Sequence, residues 1–206
     1  MYIVHDNGQN YAFIDGFTRY YYKTINVPAE RGTFVQPILS ANGTLGGNSF
    51  AVQANREASA SPGSPYAYYA FDDNTSTYWR SGTTTGWLVF YSPTPIAVKT
   101  LTWTCFYMYP TSGTVEASND NSQWTELCKW TNSNSTSFNI VVNSNVDYKY
   151  YRINITGISE DVIHCQELDI TATYVVKDAY SYETEGTADD YDRYEDVPNM
   201  KGVEIK

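Results

Sequence analysis

The residues best suited to chemistry in this chain lie in one polar loop, residues 72–77. The loop reads DDNTST and carries two carboxylates, an amide and three hydroxyl groups, with Phe71 before it and Tyr78 after it. Such a loop, pinned by aromatic residues at both ends, can turn several oxygens inward, and Ca²⁺ in proteins is held by about six to eight oxygen ligands. The alternative is an Asx turn, in which Asp72 or Asn74 only caps its own backbone.

The overall composition restricts the partners of the chain. It has 206 residues, of which 42% are hydrophobic and 16% aromatic, a composition typical of a globular protein with a ring-rich core. Its formal net charge is −10, from 13 basic and 23 acidic residues. Nucleic-acid binding requires a basic face, and anionic membranes attract basic surfaces, so neither partner is expected.

The cysteines and the N-terminal sequence indicate the compartment in which the protein is made. Cys105, Cys128 and Cys165 lie in apolar or alternating runs and are predicted to be buried thiols, with a disulfide between two of them as the alternative. The first residues lack the basic start and apolar stretch of a secretory signal, and no run of about 18 apolar residues is present. We therefore expect a soluble chain without membrane insertion, made in the cytoplasm without a signal peptide.

The centre of the sequence predicts an all-β domain. From residue 50 onward, short apolar or alternating runs are separated by Ser, Asn and Gly turns, and no amphipathic helix is recognisable. This pattern predicts an antiparallel β-sandwich or jelly roll with Trp79, Trp87, Trp103 and Trp124 in its core. The predicted strands are residues 86–91, 96–107, 113–119, 123–130, 135–142, 147–157 and 162–174.

The last predicted strand contains a break in its alternation. Ile163 and Cys165 share one parity, whereas the apolar residues from Leu168 onward share the other. A continuous strand would expose one of these sets, so a β-bulge is predicted at residues 166–167. The bulge would turn the carboxylate of Glu167 off the sheet. The alternative is a strand covered on both faces, with Glu167 solvated at its rim.

The two ends of the chain differ from its centre. Residues 1–45 contain a hairpin signal at Asn7-Gly8 and are predicted to form a β-rich docking arm, with the domain itself at residues 46–177. Residues 178–206 hold nine acidic and three basic residues with four tyrosines. This acidic C-terminal arm is expected to lie along another protein, and a disordered tail is the alternative.

Five elements of the central region, in this order, resemble a known family. They are AFDDNTSTYW (70–79), GWLVFY (86–91), SNDNSQW (118–124), KYYRINI (149–155) and CQELDI (165–170). Together they resemble the discoidin domain, also called the coagulation factor V and VIII type C domain, and the related galactose-binding-like carbohydrate-binding modules. The resemblance spans about residues 50–174. It implies an eight-stranded antiparallel jelly-roll β-sandwich that usually has no catalytic activity.

The resemblance also implies a structural Ca²⁺. Carried over by position, the ligands are the carbonyl oxygens of Tyr69 and Gln166, the carboxylates of Asp72 and Glu167, and residues Asn74 and Thr77. Two of these positions coincide with the bulge predicted from parity alone. The family has a glycine where this chain has Asp73, so a positive φ at this position would strain the residue.

The resemblance further places a carbohydrate site in the loop after residues 96–107. Tyr107 and Tyr109 would form an aromatic platform for a sugar ring, with Arg80 as a polar partner. The alternative for both tyrosines is that they cap the core. The family's frequent His and Arg ligand-binding pair is not evident in the sequence, and His164 is interpreted as a structural histidine with satisfied hydrogen bonds.

Catalytic motifs are poorly represented. His5 and His164 lie in different segments, and no Ser-His-Asp order, phosphate-binding loop or His/Cys metal cluster is recognisable. Glu167 and Asp169 could nominally pair for glycoside hydrolysis, but the predicted bulge would make them diverge. The chain is therefore expected not to be an enzyme.

Two non-enzymatic functions remain. Residues 35–52 resemble, more loosely, the segments that precede such domains in bacteriophage tail and fibre proteins, which indicates a virion protein. In the first hypothesis, the chain recognises host cell-surface carbohydrate during adsorption. In the second, it is a structural or decorating virion protein whose arms, residues 1–45 and 178–206, contact other virion proteins in an oligomeric assembly.

Overall fold

The computed structural model describes residues 2–6, 9–13, 17–55, 66–186, 192–198 and 202–205. A short 3-10 helix, Ala67–Ala70, precedes the polar loop. The strands, in chain order, are β1 (Tyr2–Asp6), β2 (Gln9–Phe13), β3 (Phe17–Val27), β4 (Glu30–Thr33), β5 (Ala51–Ala54), β6 (Trp79–Arg80), β7 (Gly86–Thr104), β8 (Pro110–Ser118), β9 (Thr125–Thr131), β10 (Ser137–Val141), β11 (Tyr148–Ile158), β12 (His164–Cys165), β13 (Glu167–Lys177), β14 (Tyr180–Glu185), β15 (Arg193–Pro198) and β16 (Gly202–Ile205).

The chain divides into two compact units, residues 31–176 and residues 1–30 together with 177–206. The larger unit contains eight strands linked by hydrogen bonds, namely β4, β5, β7, β8, β9, β10, β11 and β13. The pairs that β7 and β8 make with their neighbours are antiparallel. The predicted eight-stranded antiparallel β-sandwich is therefore confirmed.

Strand β7 joins the two layers of the sandwich. Its first half pairs with β5 and β11, and its second half pairs with β10 and β13. Beyond these partners, one layer continues through β11 to β8 and β9, and the other through β13 to β4. The sequence predicted two strands in this stretch, whereas the structure has one strand that runs on through residues 92–95 and serves both sheets.

The core lies between the two layers and consists of alternate residues on each strand. Its largest buried side chains include Trp79, Trp103, Phe90 and Tyr151. The Tyr151 hydroxyl donates to the Ile96 carbonyl at 2.6 Å, which satisfies the one polar group of this ring in the core.

Two of the four tryptophans predicted as core lie outside the main core. Trp87 and Trp124 pack, half-buried, on a smaller cluster that includes Tyr91 and Tyr150. For Trp87 the reason is alternation: Leu88 points into the main core, so its neighbour points to the other face of the sheet.

The sandwich begins earlier than predicted. Residues 31–45 belong to the larger unit, so the boundary lies at 30/31 and not at 45/46. Arg31 donates from Nη1 to Asp147 at 3.0 Å, and the Phe34 ring lies 5.9 Å from the Phe50 ring. The side chain of Gln36 bonds the β13 backbone, with Nε2 3.0 Å from the Leu168 oxygen. These contacts attach the segment to the sandwich, and sequence periodicity gave no sign of them.

The smaller unit contains strands from both ends of the chain. β1 and β2 pair from Tyr2↔Phe13 to Asp6↔Gln9, which confirms the predicted hairpin, although its turn residues lie outside the described ones. β16 pairs with β2, and β14 and β15 pair with β3. The sequence predicted two separate arms, but the structure pairs them with each other, since short hairpins alone are marginal in water.

Cys105 and Cys165 are buried as predicted, Cys128 is half-buried, and all three are free thiols. None of the helical structure in the described part of the chain has the length and hydrophobicity needed to traverse a lipid bilayer.

Candidate functional site

The polar loop, residues 72–77, is fixed between buried residues. The Thr77 hydroxyl lies 2.8 Å from Asp72 Oδ2 and 2.7 Å from the Asn74 carbonyl oxygen. The Asn74 N–H donates to Asp72 Oδ1 at 3.2 Å, and the Ser76 N–H donates to Asn74 Oδ1 at 3.1 Å. The Asx turns offered as the alternative to a metal site are thus present, and they orient the Asp72 carboxylate.

Asp73 has a φ of 54°. A non-glycine residue adopts this left-handed conformation at some energetic cost, so Asp73 is strained where the resembling family has a glycine.

The predicted bulge is also present. The Gln166 N–H donates to the Thr104 carbonyl at 2.8 Å, and Glu167 pairs with the same Thr104, so two residues lie opposite one. At this point the chain changes partner, because β12 pairs with β6 whereas β13 pairs with β7. The bulge carries Glu167 to the polar loop.

Glu167 connects the bulge to the loop. Its Oε1 accepts the Asn74 N–H at 2.6 Å, and the residue is 8% exposed. Burial raises the pKa of Glu167 to about 7, and the nearby Asp72 carboxylate adds to the rise. Two carboxyl groups held close together away from water disfavour the doubly charged state unless a cation lies beside them.

The structure brings most of the predicted metal ligands together. Asp72, Asn74, Thr77 and Glu167 form one hydrogen-bonded cluster, and the Gln166 side-chain amide donates to the Thr75 carbonyl. Tyr69 lies in the 3-10 helix just before the loop. Across the described residues, no group of three or more His, Cys, Asp or Glu side chains is placed to hold a metal ion. A cation here would need carbonyl, amide and hydroxyl oxygens beside the two carboxylates, a donor set that fits Ca²⁺.

The prediction that Glu167 and Asp169 diverge is wrong. Both line one cleft together with Asp73, because the bulge precedes Glu167 and leaves the two carboxylates on the same face of β13. Burial also raises the pKa of Asp169, with a further contribution from Asp73. The aromatic residue among the described lining of this cleft, Phe71, is itself buried. The cleft therefore presents carboxylates without a ring on which a sugar could stack.

A second group of residues surrounds the short ladder between β6 and β12, in which Arg80 pairs with His164. The Tyr78 ring stacks on the His164 imidazole, with centroids 4.6 Å apart and planes 29° apart. The Phe106 ring meets Tyr78 edge-on at 6.0 Å, and the Tyr107 ring lies 6.4 Å from His164. We call these five residues the ring site.

His164 is the residue that sequence reasoning misjudged. It is 6% exposed, and neither of its ring nitrogens has a hydrogen-bond partner among the described residues, so the interpretation as a satisfied histidine is wrong. Burial, with a smaller contribution from the positive charge of Arg80, lowers its pKa to about 4. At neutral pH the imidazole is uncharged and offers one donor and one acceptor.

The predicted ligand-binding residues have different environments. Tyr107 is 63% exposed at the ring site, whereas Tyr109 is half-buried and packs against the main core. Tyr109 also exchanges hydrogen bonds with Ser159, through its N–H at 3.1 Å and its carbonyl at 3.0 Å. The structure thus groups Tyr107 and Arg80 around His164. This group could not be predicted from any local sequence pattern. It depends on the pairing of β6 with β12, two strands of two residues each that are far apart in the sequence.

The F5/8 type C domain model matches residues 53–168. The chain belongs to the F5/8 type C domain family. The matched range includes the polar loop, the bulge and the ring site of this F5/8 type C domain. No curated protein sequence matches the chain significantly.

Solved structures with a similar fold include three that are described as carbohydrate- or chitosan-binding modules. One, CpGH89CBM32-5 from Clostridium perfringens in complex with GalNAc-β-1,3-galactose, has a TM-score of 0.52 at 12% identity, over 61% of this chain and 95% of that one. The family 32 module of C. perfringens NanJ, in complex with galactose, has a TM-score of 0.51 at 18% identity, over 59% and 93%. Chitosan-binding module 1 of a Paenibacillus sp. IK-5 chitosanase/glucanase has a TM-score of 0.51 at 22% identity, over 60% and 94%. At these identities the likeness establishes the fold.

Proposed function

We propose that this F5/8 type C domain is a non-catalytic module that binds carbohydrate at the ring site. The observation that carries the proposal is His164, a buried imidazole that pairs with Arg80 across the ladder and lies 6.4 Å from the exposed Tyr107 ring. Both of its nitrogens are shielded from solvent and have no hydrogen-bond partner among the described residues. Sugar hydroxyls would reach them when the Tyr78 ring, which stacks on the imidazole, moves aside. A neutral imidazole can both donate to and accept from sugar hydroxyls. An exposed aromatic ring can stack on the apolar face of a pyranose.

The solved neighbours support this proposal, since two of them are described in complex with galactose or GalNAc-β-1,3-galactose. Tyr107 and Arg80 retain the binding role predicted from the sequence, and His164 joins them. Tyr109 is assigned to the core and not to the ring site, because its ring packs against the main core. The acidic cleft of Glu167 and Asp169 is assigned no catalytic role, since Glu167 is held by the Asn74 N–H.

As the place of action we propose a bacteriophage virion. The support is the likeness of residues 35–52 to the segments before such domains in phage tail and fibre proteins. On a tail or fibre, the module would recognise host-surface glycans during adsorption. It would be made in the host cytoplasm and act outside the cell after release of the particle.

A second candidate function is structural. The observation that favours it is the smaller unit, in which strands from the two ends of the chain pair with one another. In this role, the smaller unit, residues 1–30 and 177–206, would contact other virion proteins in an oligomeric assembly, and the sandwich would decorate the particle.

We also propose that the polar loop and the bulge hold a structural Ca²⁺. Asp72 and Glu167 supply the charge, and oxygens of Tyr69, Asn74, Thr77 and Gln166 would complete the shell. The support is the pair of converging carboxyl groups and the raised pKa of Glu167. When bound, the ion would neutralise both carboxylates and tie the loop to β12, and so fix the backbone on which Arg80 and His164 lie.

A glycan array tests the binding function. We expect saturable binding of galactose-terminated or chitosan-type oligosaccharides, lost in His164→Phe and weakened about tenfold in Tyr107→Ala. The phenylalanine keeps the ring contact with Tyr78 and removes both nitrogens, so a normal melting temperature with lost binding supports the ring site. If no glycan binds, but assembly with other virion proteins is lost when residues 178–206 are deleted, the structural function stands instead.

A further inference from the structure

Strand β14 is an exposed edge strand in the smaller unit. All six of its residues are exposed, including Tyr180 at 46% and Tyr182 at 49%. Among the described strands it pairs only with β3, in six consecutive antiparallel pairs from Tyr180↔Val27 to Glu185↔Tyr22 without a register shift. Proteins usually protect such edges with charged side chains, a proline or a bulge. β14 has no proline or bulge, and its charged residues, Glu183 and Glu185, are both acidic.

The two faces of β14 differ in chemistry. Tyr180 and Tyr182 lie on one face, with ring centroids 6.2 Å apart and planes 26° apart. Glu183 and Glu185, which alternate with the tyrosines, lie on the other face, and Glu183 is bound to Arg193 through a bond of 2.6 Å. A strand added at this edge would therefore meet aromatic groups on one face and carboxylates on the other.

The net charge of the smaller unit indicates what kind of segment would pair with the free edge of β14. Residues 1–30 and 177–206 contain 12 acidic and 6 basic residues, so this unit carries six of the ten net negative charges of the chain. A second copy of the chain would bring two such acidic units together, which is unfavourable. A partner with basic side chains would neutralise them.

We propose that β14 is a docking edge for an extended basic segment of another protein, which adds to the sheet as a further antiparallel strand. In β-strand addition, backbone hydrogen bonds provide affinity and alternate side chains provide specificity. The segment that fits β14 alternates Lys or Arg, facing Glu185, with apolar residues that cover Tyr180 and Tyr182. This interaction is independent of the ring site, and its failure would leave the glycan proposal intact.

The test uses the full chain and a capped synthetic peptide, Lys-Val-Lys-Thr-Lys-Val-Lys-Thr, with binding measured by fluorescence anisotropy. Two further peptides carry backbone N-methyl groups at the odd or at the even positions and have the same charge and composition. In an added strand only every second N–H faces the neighbouring strand. We expect one methylated peptide to bind about tenfold more weakly or worse and the other to bind like the parent.

Two charge-reversal variants, one in β14 and one in β9, form a matched pair for the peptide-binding test. Glu185→Lys should weaken binding of the parent peptide, whereas Glu126→Lys, at an exposed position of β9 and with the same change in net charge, should not. Equal binding of all three peptides, or equal effects of the two substitutions, would show attraction by net charge alone and overturn the proposal. Absence of binding, or self-association of the protein through β14 in sedimentation experiments, would overturn it as well.

Discussion

Arg80 and His164 lie opposite each other in a ladder whose two strands contain two residues each. This pairing places a positive charge beside an imidazole that is already shielded from water, and both effects lower the pKa of His164. The ladder also sets His164 in ring contact with Tyr78, at 4.6 Å, and within 6.4 Å of the Tyr107 ring. Its integrity therefore determines both the protonation state and the shape of the ring site.

We expect His164 to make the protein less stable in acid. Its pKa in the folded state, about 4, is below the ordinary value of 6.5, so the folded protein binds fewer protons than the unfolded chain between these values. The free energy of unfolding should fall as the pH is lowered from 6.5 to 4, by at most about 1.4 kcal/mol per pH unit. His164→Phe should remove this slope in urea denaturation at pH 7 and pH 5, and an unchanged slope would contradict the assignment.

Tyr107 and Tyr109 should respond differently to truncation. Tyr107→Ala should weaken glycan binding about tenfold and leave the melting temperature unchanged, because the ring is exposed. Tyr109→Ala should destabilise the fold by about 1–3 kcal/mol, because its ring packs on the core. Calorimetric titration and thermal unfolding of both variants separate the two effects. The assignment fails if Tyr107→Ala binds like the unmodified protein.

Calcium should stabilise the sandwich through Asp72. Addition of Ca²⁺ to chelated protein should raise the melting temperature, since binding to the folded state alone shifts the unfolding equilibrium. Asp72→Ala should abolish this rise and Asp161→Ala, at an exposed carboxylate elsewhere, should keep it. Identical melting curves with chelator and with Ca²⁺ would refute the metal site.

Glu167 should give the metal-free protein a pH dependence opposite in sign to that of His164. The pKa of Glu167 is raised to about 7 from an ordinary 4.5, so its contribution to stability is complete below pH 4.5 and is lost as the pH rises to about 7. Glu167→Gln should flatten this decline in chelated samples. Added Ca²⁺ should oppose the decline in the unmodified protein only, because it stabilises the ionised carboxylate. A decline that survives in Glu167→Gln would assign it to another group.

Gly113 should be intolerant of any side chain. A Cβ at this position would overlap the Asn154 carbonyl oxygen and lie 2.5 Å from the Trp130 ring. Gly113→Ala should therefore cost about 3 kcal/mol or more, or prevent folding. Gly47→Ala is the control, since its Cβ would find its nearest neighbour at 3.1 Å. Expression yield and urea midpoints compare the two variants, and equal midpoints would contradict the expected overlap.

The features that could be predicted from the sequence are those with a local pattern. Alternation predicted strands such as β11, and the change of parity before Leu168 predicted the bulge, because a pleated strand cannot bury both sets of residues. The family's glycine at the position of Asp73 indicated where a positive φ would strain this chain, and the structure has a positive φ there. Each of these depends on neighbours within a few residues.

The features that could not be predicted depend on pairing between distant segments. Nothing near His164 shows that Arg80 will lie opposite it, and nothing near Arg31 shows that it will bond Asp147 and close the sandwich edge. The pairing of the two arms is another example. Neither arm has a local pattern that indicates its partner, and their strands pair only when the two ends of the chain meet.

Strand β7 runs from one layer of the sandwich into the other without interruption. Because its first half pairs in one sheet and its second half in the other, the two sheets share one strand as well as the core between them. The sandwich should therefore unfold as a single cooperative unit. A mechanical force applied to one layer would be transmitted to the other along covalent bonds. This property is useful in any protein that anchors a particle to a surface.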